Sequence, residues 1–164
     1  MTTQSLIHEF FAQNRFAFVG VSRKNGDFSR TLLREFLKRN YDAVPVNPHT
    51  TEIEGRQCFP SVSEIKPVVS AALLLNPKYA TGAIVRECAE AGITLLWVYG
   101  ISGPKDLPAG VQADCERYGI KLVPGYCPFM FLPGAETFHR FHRWAWKLLG
   151  YYPGNARTTA EPAP

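Results

Sequence analysis

The chain has 164 residues, 46% of them hydrophobic and 20% charged, with a formal net charge of +4 and an isoelectric point near 8.9. That size predicts one domain with a real core, and a charge so small and dispersed suits an anionic small molecule, not nucleic acid. No apolar run is long enough to span a membrane and no secretory pattern opens the chain, while Cys58, Cys88, Cys115 and Cys127 lie far apart without a C-x-x-C pair, so reduced thiols in a cytoplasmic protein are expected.

Thr3–Gln13 reads as a short helix with Leu6, Ile7, Phe10 and Phe11 on one side, placed to cover a sheet edge, and with His8 on the wet face. Phe16–Val21 is a continuous apolar run that suits a strand covered on both faces. After a polar turn, Ser29 is the expected N-cap of a helix whose Leu32, Leu33, Phe36 and Leu37 share a face, with Asn40 as its stop. Strand, small-residue turn and helix start form a pattern that can cradle phosphate, with Gly20 and Ser22 leaving room and Arg23, Lys24 and Arg30 adding charge. The dinucleotide fingerprint G-x-G-x-x-G is missing, and any α/β protein needs a tight turn here, so on this stretch the structural and the phosphate-binding readings stand side by side.

Asp42–Asn47 is a second strand, in which Pro45 points to an edge or a bulge. A nicotinamide-binding unit would usually end this strand in Asp or Glu to hold ribose hydroxyls; the chain offers Asn47, Pro48, His49 and Thr50, which would not repel a ribose phosphate. Glu54–Pro60 reads as an irregular connection, and Ser61–Ile65 as one helical turn. Ala71–Leu75 is a third strand ending in Asn76-Pro77, followed by a helix over Tyr79–Ala91 stopped by Gly92. Ile93–Val98 is a fourth strand leading into Tyr99–Gly103. Pro108 suits the first turn of a helix with Val111, Cys115 and Tyr118 inward and Gly119 at its end, and Ile120–Val123 is a fifth strand. The alternation predicts a doubly wound, mostly parallel five-stranded Rossmann-like sheet with helices on both faces, three layers in all.

Ligands of such sheets bind outside the carboxyl ends of the strands. Those ends collect Gly20–Lys24, Asn47–His49, Asn76-Pro77, Tyr99–Gly103 and Pro124–Cys127 on one rim. The same loops carry a resemblance. Gly20-Val21-Ser22 with Asp27–Arg30, Val44-Pro45-Val46-Asn47-Pro48 leading to Glu52–Gly55, Ala72–Pro77, Ala91-Gly92-Ile93, Trp97 before Gly100-Ile101, and Gly119-Ile120 before Cys127-Pro128 fall in the order expected of the CoA-binding domain family. The chain resembles these small Rossmann-like proteins, related to the CoA-binding domain of the succinyl-CoA synthetase α subunit and of ADP-forming acyl-CoA synthetases, from about Phe10 to Phe131. The family commonly carries Val-Pro-x-Asn-Pro in its second strand.

The resemblance implies coenzyme A or acyl-CoA as ligand. Gly20, Ser22, Arg23, Lys24, Ser29 and Arg30 would face its phosphates, Asn47, Pro48 and His49 would lie by the adenosine end, and Asn76 and Pro77 would wall the adenine or ribose. Tyr99, Gly100 and Cys127 would line the later part of the rim. His49 stands where many relatives place Lys or Arg, which implies a weaker, pH-dependent grip on an adenosine phosphate. Phe129 stands where the synthetases have glycine. Their phosphorylated-histidine and grasp-fold domains have no room in this chain.

Cys127 as a reactive thiol needs a partner to lower its pKa, and the sequence assigns none, so packing is the expectation. Glu136 and His139 have the spacing of half a di-metal helix motif without the other half, so no metal is expected. Ala135–Leu149 reads as a helix with Phe138, Phe141, Ala145, Leu148 and Leu149 on one side; Trp144, Trp146, Tyr151 and Tyr152 leave an interface, such as a homodimer would use, open beside simple docking on the sheet. The domain is expected to run over 1–153, with a flexible tail at 154–164. The function expected is a CoA- or acyl-CoA-binding module without chemistry, a carrier, sensor or regulatory partner. The alternatives are an NAD(P)-binding oxidoreductase-like protein and a subunit of an acyl-CoA synthetase.

Overall fold

The computed structural model describes residues 2–76 and 80–132. Pro77, Tyr79, the helix expected over Ala135–Leu149, the Glu136/His139 pair and the tail at 154–164 lie outside the described residues.

Strand β1 (Arg15–Val19) is packed on both of its faces. Its residues alternate between two cores: Phe16 and Phe18 join Leu32, Leu33 and Phe36 of helix α2 (Phe28–Lys38) and Leu6, Ile7 and Phe10 of helix α1 (Thr3–Ala12). Ala17 and Val19 point the other way, toward Val85 and Cys88 of helix α3 (Gly82–Glu90) and Val111 and Cys115 of helix α4 (Val111–Arg117). A strand buried on both faces must be apolar along its buried length, as Phe16–Val19 are, while Arg15 at its half-buried start pairs with Asp42 at 2.8 Å. The first core is aromatic: Phe36 meets Phe16 and Phe18 edge-on with ring centres 5.0 and 6.0 Å apart. Trp97, wholly buried in that core, donates its indole N–H to the Tyr126 carbonyl at 2.8 Å, which satisfies its one polar atom.

The remaining strands are β2 (Asp42–Val46), the short β3 (Glu52–Ile53) and β4 (Arg56–Gln57), then β5 (Ala71–Leu74), β6 (Leu95–Val98) and β7 (Lys121–Pro124). Five of them form a parallel sheet in the order β2-β1-β5-β6-β7, with α1 and α2 on one face and α3 and α4 on the other. The expected three-layer, doubly wound architecture is therefore present. Pro45 is explained by position. β2 is the edge strand; the Val46 carbonyl faces inward to accept from the Gly20 N–H at 3.0 Å, whereas Pro45 faces outward, where its carbonyl accepts from the Phe59 N–H at 3.0 Å. The missing proline N–H is on the side away from β1.

Several local expectations need correction. Asp27, not Ser29, caps α2: its carboxylate accepts from the Ser29 N–H at 2.8 Å, and Ser29 lies inside the first turn. The connection after β2 is not irregular throughout. β3 and β4 pair antiparallel around Glu54 and Gly55, both at positive φ, a two-residue turn whose twist suits a hairpin. Pro108 precedes α4, because Gly110, left-handed at φ 89°, is the cap and no helix can run through it. Tyr118 is correspondingly exposed. Among the described residues no helix is long and apolar enough to cross a membrane.

Candidate functional site

A cleft of about 1050 Å³ opens at the carboxyl ends of β1, β2 and β5. This is where the order of strands reverses: the chain leaves β1 over one face to reach β2, then returns past β1 to β5 and continues over the other face. The first wall is the loop from Gly20 to Asp27 with the start of α2. Gly20 adopts φ 86°, which turns the chain sharply out of β1, and no L side chain takes that conformation without strain.

The loop is held from behind by side chains. The Asn47 amide donates to the Val21 carbonyl at 2.7 Å, while its oxygen accepts from the His49 N–H at 2.8 Å. The Ser22 N–H donates to Ser29 Oγ at 2.9 Å, and that hydroxyl donates to Asp27 Oδ1 at 2.5 Å. Ser22 Oγ accepts in turn from the Lys24 N–H at 3.1 Å. These bonds tie the Val21 carbonyl back to β2 and hold the Ser22 and Lys24 N–H groups on side-chain hydroxyls, which fixes the shape of the loop at the cleft wall.

Of the residues singled out from the sequence, Gly20, Ser22, Arg23, Lys24, Ser29, Asn47, Pro48, His49 and Asn76 line this cleft. Arg23, Lys24, Pro48 and His49 are exposed; Ser29 is buried beneath the loop. Arg30 is placed differently. Its guanidinium is 8% exposed as a residue, sits behind the loop, and pairs with Glu54 at 2.5 Å. It is not among the lining residues.

Tyr99, Gly100 and Cys127 are also outside the lining. Tyr99 reaches the cleft only through Phe28, whose ring centre is 5.3 Å away and which does line it. Burial first, with nearby Cys127 and Asp106, pushes the Tyr99 phenol up to about 12. Burial likewise pushes the Cys127 thiol up to about 11, which leaves it protonated at neutral pH. Gly100 serves a loop junction: a Cβ there would stand 2.7 Å from the Gly125 Cα and 2.7 Å from Asp106 Oδ2. Asp106 locks the same loop by accepting from the Ile101 and Ser102 N–H groups at 2.5 and 2.6 Å.

The sequence reading missed the far wall, made of Pro60, Ser61 and Val62 with Thr81, Ile84 and Glu87 from the α3 region. It also missed Asp27 as an acidic group at the cleft. Asp27 and Glu87 both use a carboxylate oxygen on backbone, Glu87 accepting from the Val62 N–H at 3.2 Å. Arg23 and Lys24 are the charged groups there with no such tie among the described residues. Their side chains are exposed at the mouth of the loop.

The comparisons with known proteins show the family of the chain. The family profile described as CoA binding domain matches residues 14–133, a range that contains the whole sheet and every cleft residue named above. An ADP-forming acetate–CoA ligase from Archaeoglobus fulgidus is 30% identical over 118 residues, covering 68% of this chain and 17% of that protein. The ADP-forming acetate–CoA ligase from Methanocaldococcus jannaschii is 24% identical over 115 residues, covering 68% of this chain and 16% of that protein. The chain thus spans about one sixth of the length of these curated relatives. A hypothetical protein from Pyrococcus horikoshii superposes with a TM-score of 0.66 at 24% identity, covering 78% of this chain and 87% of that one, which shows a shared fold. By sheet, cleft and sequence match, the chain belongs to the CoA-binding domain family.

Proposed function

We propose that this protein is a stand-alone module that binds CoA or acyl-CoA in the β1–β2–β5 cleft without chemistry of its own, and so acts as a carrier, sensor or regulatory partner. The observation that carries the reading is the cradle at Gly20–Asp27, whose Val21 carbonyl is tied back by Asn47, with Arg23 and Lys24 exposed at its mouth. The pyrophosphate would lie against that loop, and the adenosine end would lie over Asn47, Pro48 and His49. Asn47 disfavours the dehydrogenase alternative: both ends of its amide are engaged inside the protein, so nothing at the end of β2 is poised to accept ribose hydroxyls as a carboxylate would.

A binding role without catalysis is supported by the state of the nearby groups. The Tyr99 and Cys127 side chains stay protonated, and Asp27 and Glu87 are occupied with backbone N–H groups. A second reading, a subunit that completes an acyl-CoA synthetase, is favoured by the match to one segment of much longer ligases. Native mass spectrometry of the protein purified from its own cells separates the two. A retained ligand with the mass of CoA or an acyl-CoA on the chain alone supports the module, whereas stoichiometric co-purification of a second, grasp-type chain supports the subunit.

A further inference from the structure

The strongest interaction behind the cradle involves a residue that does not touch the cleft. Glu54 sits at the tip of the β3–β4 hairpin, outside the main sheet, at φ 52°. Its Oε1 meets Arg30 Nε at 2.7 Å, Arg30 Nη2 at 2.5 Å and Arg34 Nη2 at 2.8 Å. Arg30 Nη1 then reaches the Ser22 and Arg23 carbonyls at 3.4 and 3.3 Å, and Arg34 reaches the Asn25 carbonyl at 3.3 Å. One carboxylate therefore orients two guanidiniums onto three residues of the loop, Ser22, Arg23 and Asn25. The Arg34 and Arg30 guanidiniums hold the Glu54 carboxyl below its ordinary value against the opposing pull of burial.

We infer that Glu54 is a positioning residue for the anion cradle, acting through Arg30, and that Arg30 serves as a strut for the loop instead of as a ligand to phosphate. The inference rests on the reading of Gly20–Asp27 as the ligand's cradle. Geometry and electrostatics make opposite forecasts. If Glu54 acted only as a nearby negative charge, neutralising it would strengthen binding of a polyanion and would free Arg30 to join in. If it acts as the anchor of the strut, neutralising it releases Arg30 from the carbonyls, loosens the loop and weakens binding. The planar guanidinium suits this task, since one group can face a carboxylate with one edge and carbonyls with another.

The test is amide hydrogen exchange, resolved by residue, on the full chain and its Glu54→Gln variant, together with CoA titration of both. The Ser22 and Lys24 amides are hydrogen-bonded within the loop and report its order directly. They are expected to exchange at least about tenfold faster in the variant, the equivalent of losing one charge-assisted hydrogen bond, while the Leu73 and Leu74 amides of β5 keep their protection. CoA affinity is expected to fall by about the same factor, and Arg30→Met should give the same two effects, with the double variant no worse than either single one. Unchanged exchange at Ser22 and Lys24, equal acceleration at β5, or tighter CoA binding by Glu54→Gln would each overturn the inference. Failure of the parent protein to bind CoA would sink the proposed function instead, and the exchange result would still decide the role of Glu54.

Discussion

The side-chain amide of Asn47 donates to the Val21 carbonyl across 2.7 Å and so ties the end of β2 to the turn that leaves β1. Gly20 is bound across the same junction, its N–H donating to the Val46 carbonyl at 3.0 Å. The two bonds make the floor of the cleft a joint between adjacent strands. Its shape is then a property of the sheet as much as of the loop.

Replacing that amide with a carboxylate tests the joint. Asn47→Asp cannot donate to Val21 and instead sets an anion against a carbonyl oxygen, so stability should fall by about 1–3 kcal/mol. The variant also places an acidic residue where dehydrogenases hold ribose, yet NAD affinity should not rise, because the loop it would have to cooperate with has lost its tie. Urea titration and calorimetry with NAD measure the two outcomes. An unchanged urea midpoint would mean the bond contributes nothing.

Asp27 should oppose the ligand it helps to house. Asparagine caps helices about as well as aspartate, so Asp27→Asn leaves stability nearly unchanged. For a phosphate bound as near as about 4 Å, one negative charge fewer would be worth about 1 kcal/mol even in bulk water, roughly a fivefold gain in CoA affinity. Loss of affinity in this variant would show that the carboxylate holds the Ser29–Ser22 relay in a way the amide cannot.

Acid should destabilise the protein in part through Glu54 and Glu35. Hydrogen bonds from Arg34 and Arg30 lower the Glu54 carboxyl, and hydrogen bonds from Lys38 and then Arg39 lower that of Glu35, each from an ordinary 4.5. Groups whose folded pKa is depressed contribute fully above the unfolded value, and that contribution is lost as pH falls through the folded value. Urea midpoints should therefore hold steady down to pH near 5 and decline below it. Glu54→Gln should show a shallower decline; an identical one would mean its ion pairs add no net stability.

The sheet was legible because each of its strands is a short apolar run bounded by turn residues, and β1 must be apolar on both faces. The cleft wall after β1 was legible from Gly20 and Ser22, whose smallness is a sequence property. Arg30 was harder. Its charge suggested a ligand contact, but its side chain points to Glu54 at the tip of a hairpin 24 residues further along the chain, a pairing that no local pattern announces. The far wall was illegible for a related reason: Thr81, Ile84 and Glu87 reach the cleft through the crossover after β5, and the sequence gives no sign of which helix end will face β1. Tyr99 follows β6 directly but stands one aromatic ring, Phe28, from the lining, and Cys127 after β7 lies outside it too.

Calorimetric titration of the purified protein with CoA, dephospho-CoA and NAD decides whether the cleft takes CoA. CoA should bind tightest, dephospho-CoA more weakly where Arg23, Lys24 or His49 meets the 3′-phosphate, and NAD weakest, because the end of β2 has no group poised for its ribose. Arg23→Glu should reduce the CoA affinity without lowering the urea midpoint of the empty protein, since its side chain is exposed. NAD binding more tightly than CoA, or no heat of binding with any of the three, would overturn the assignment of this cleft to CoA.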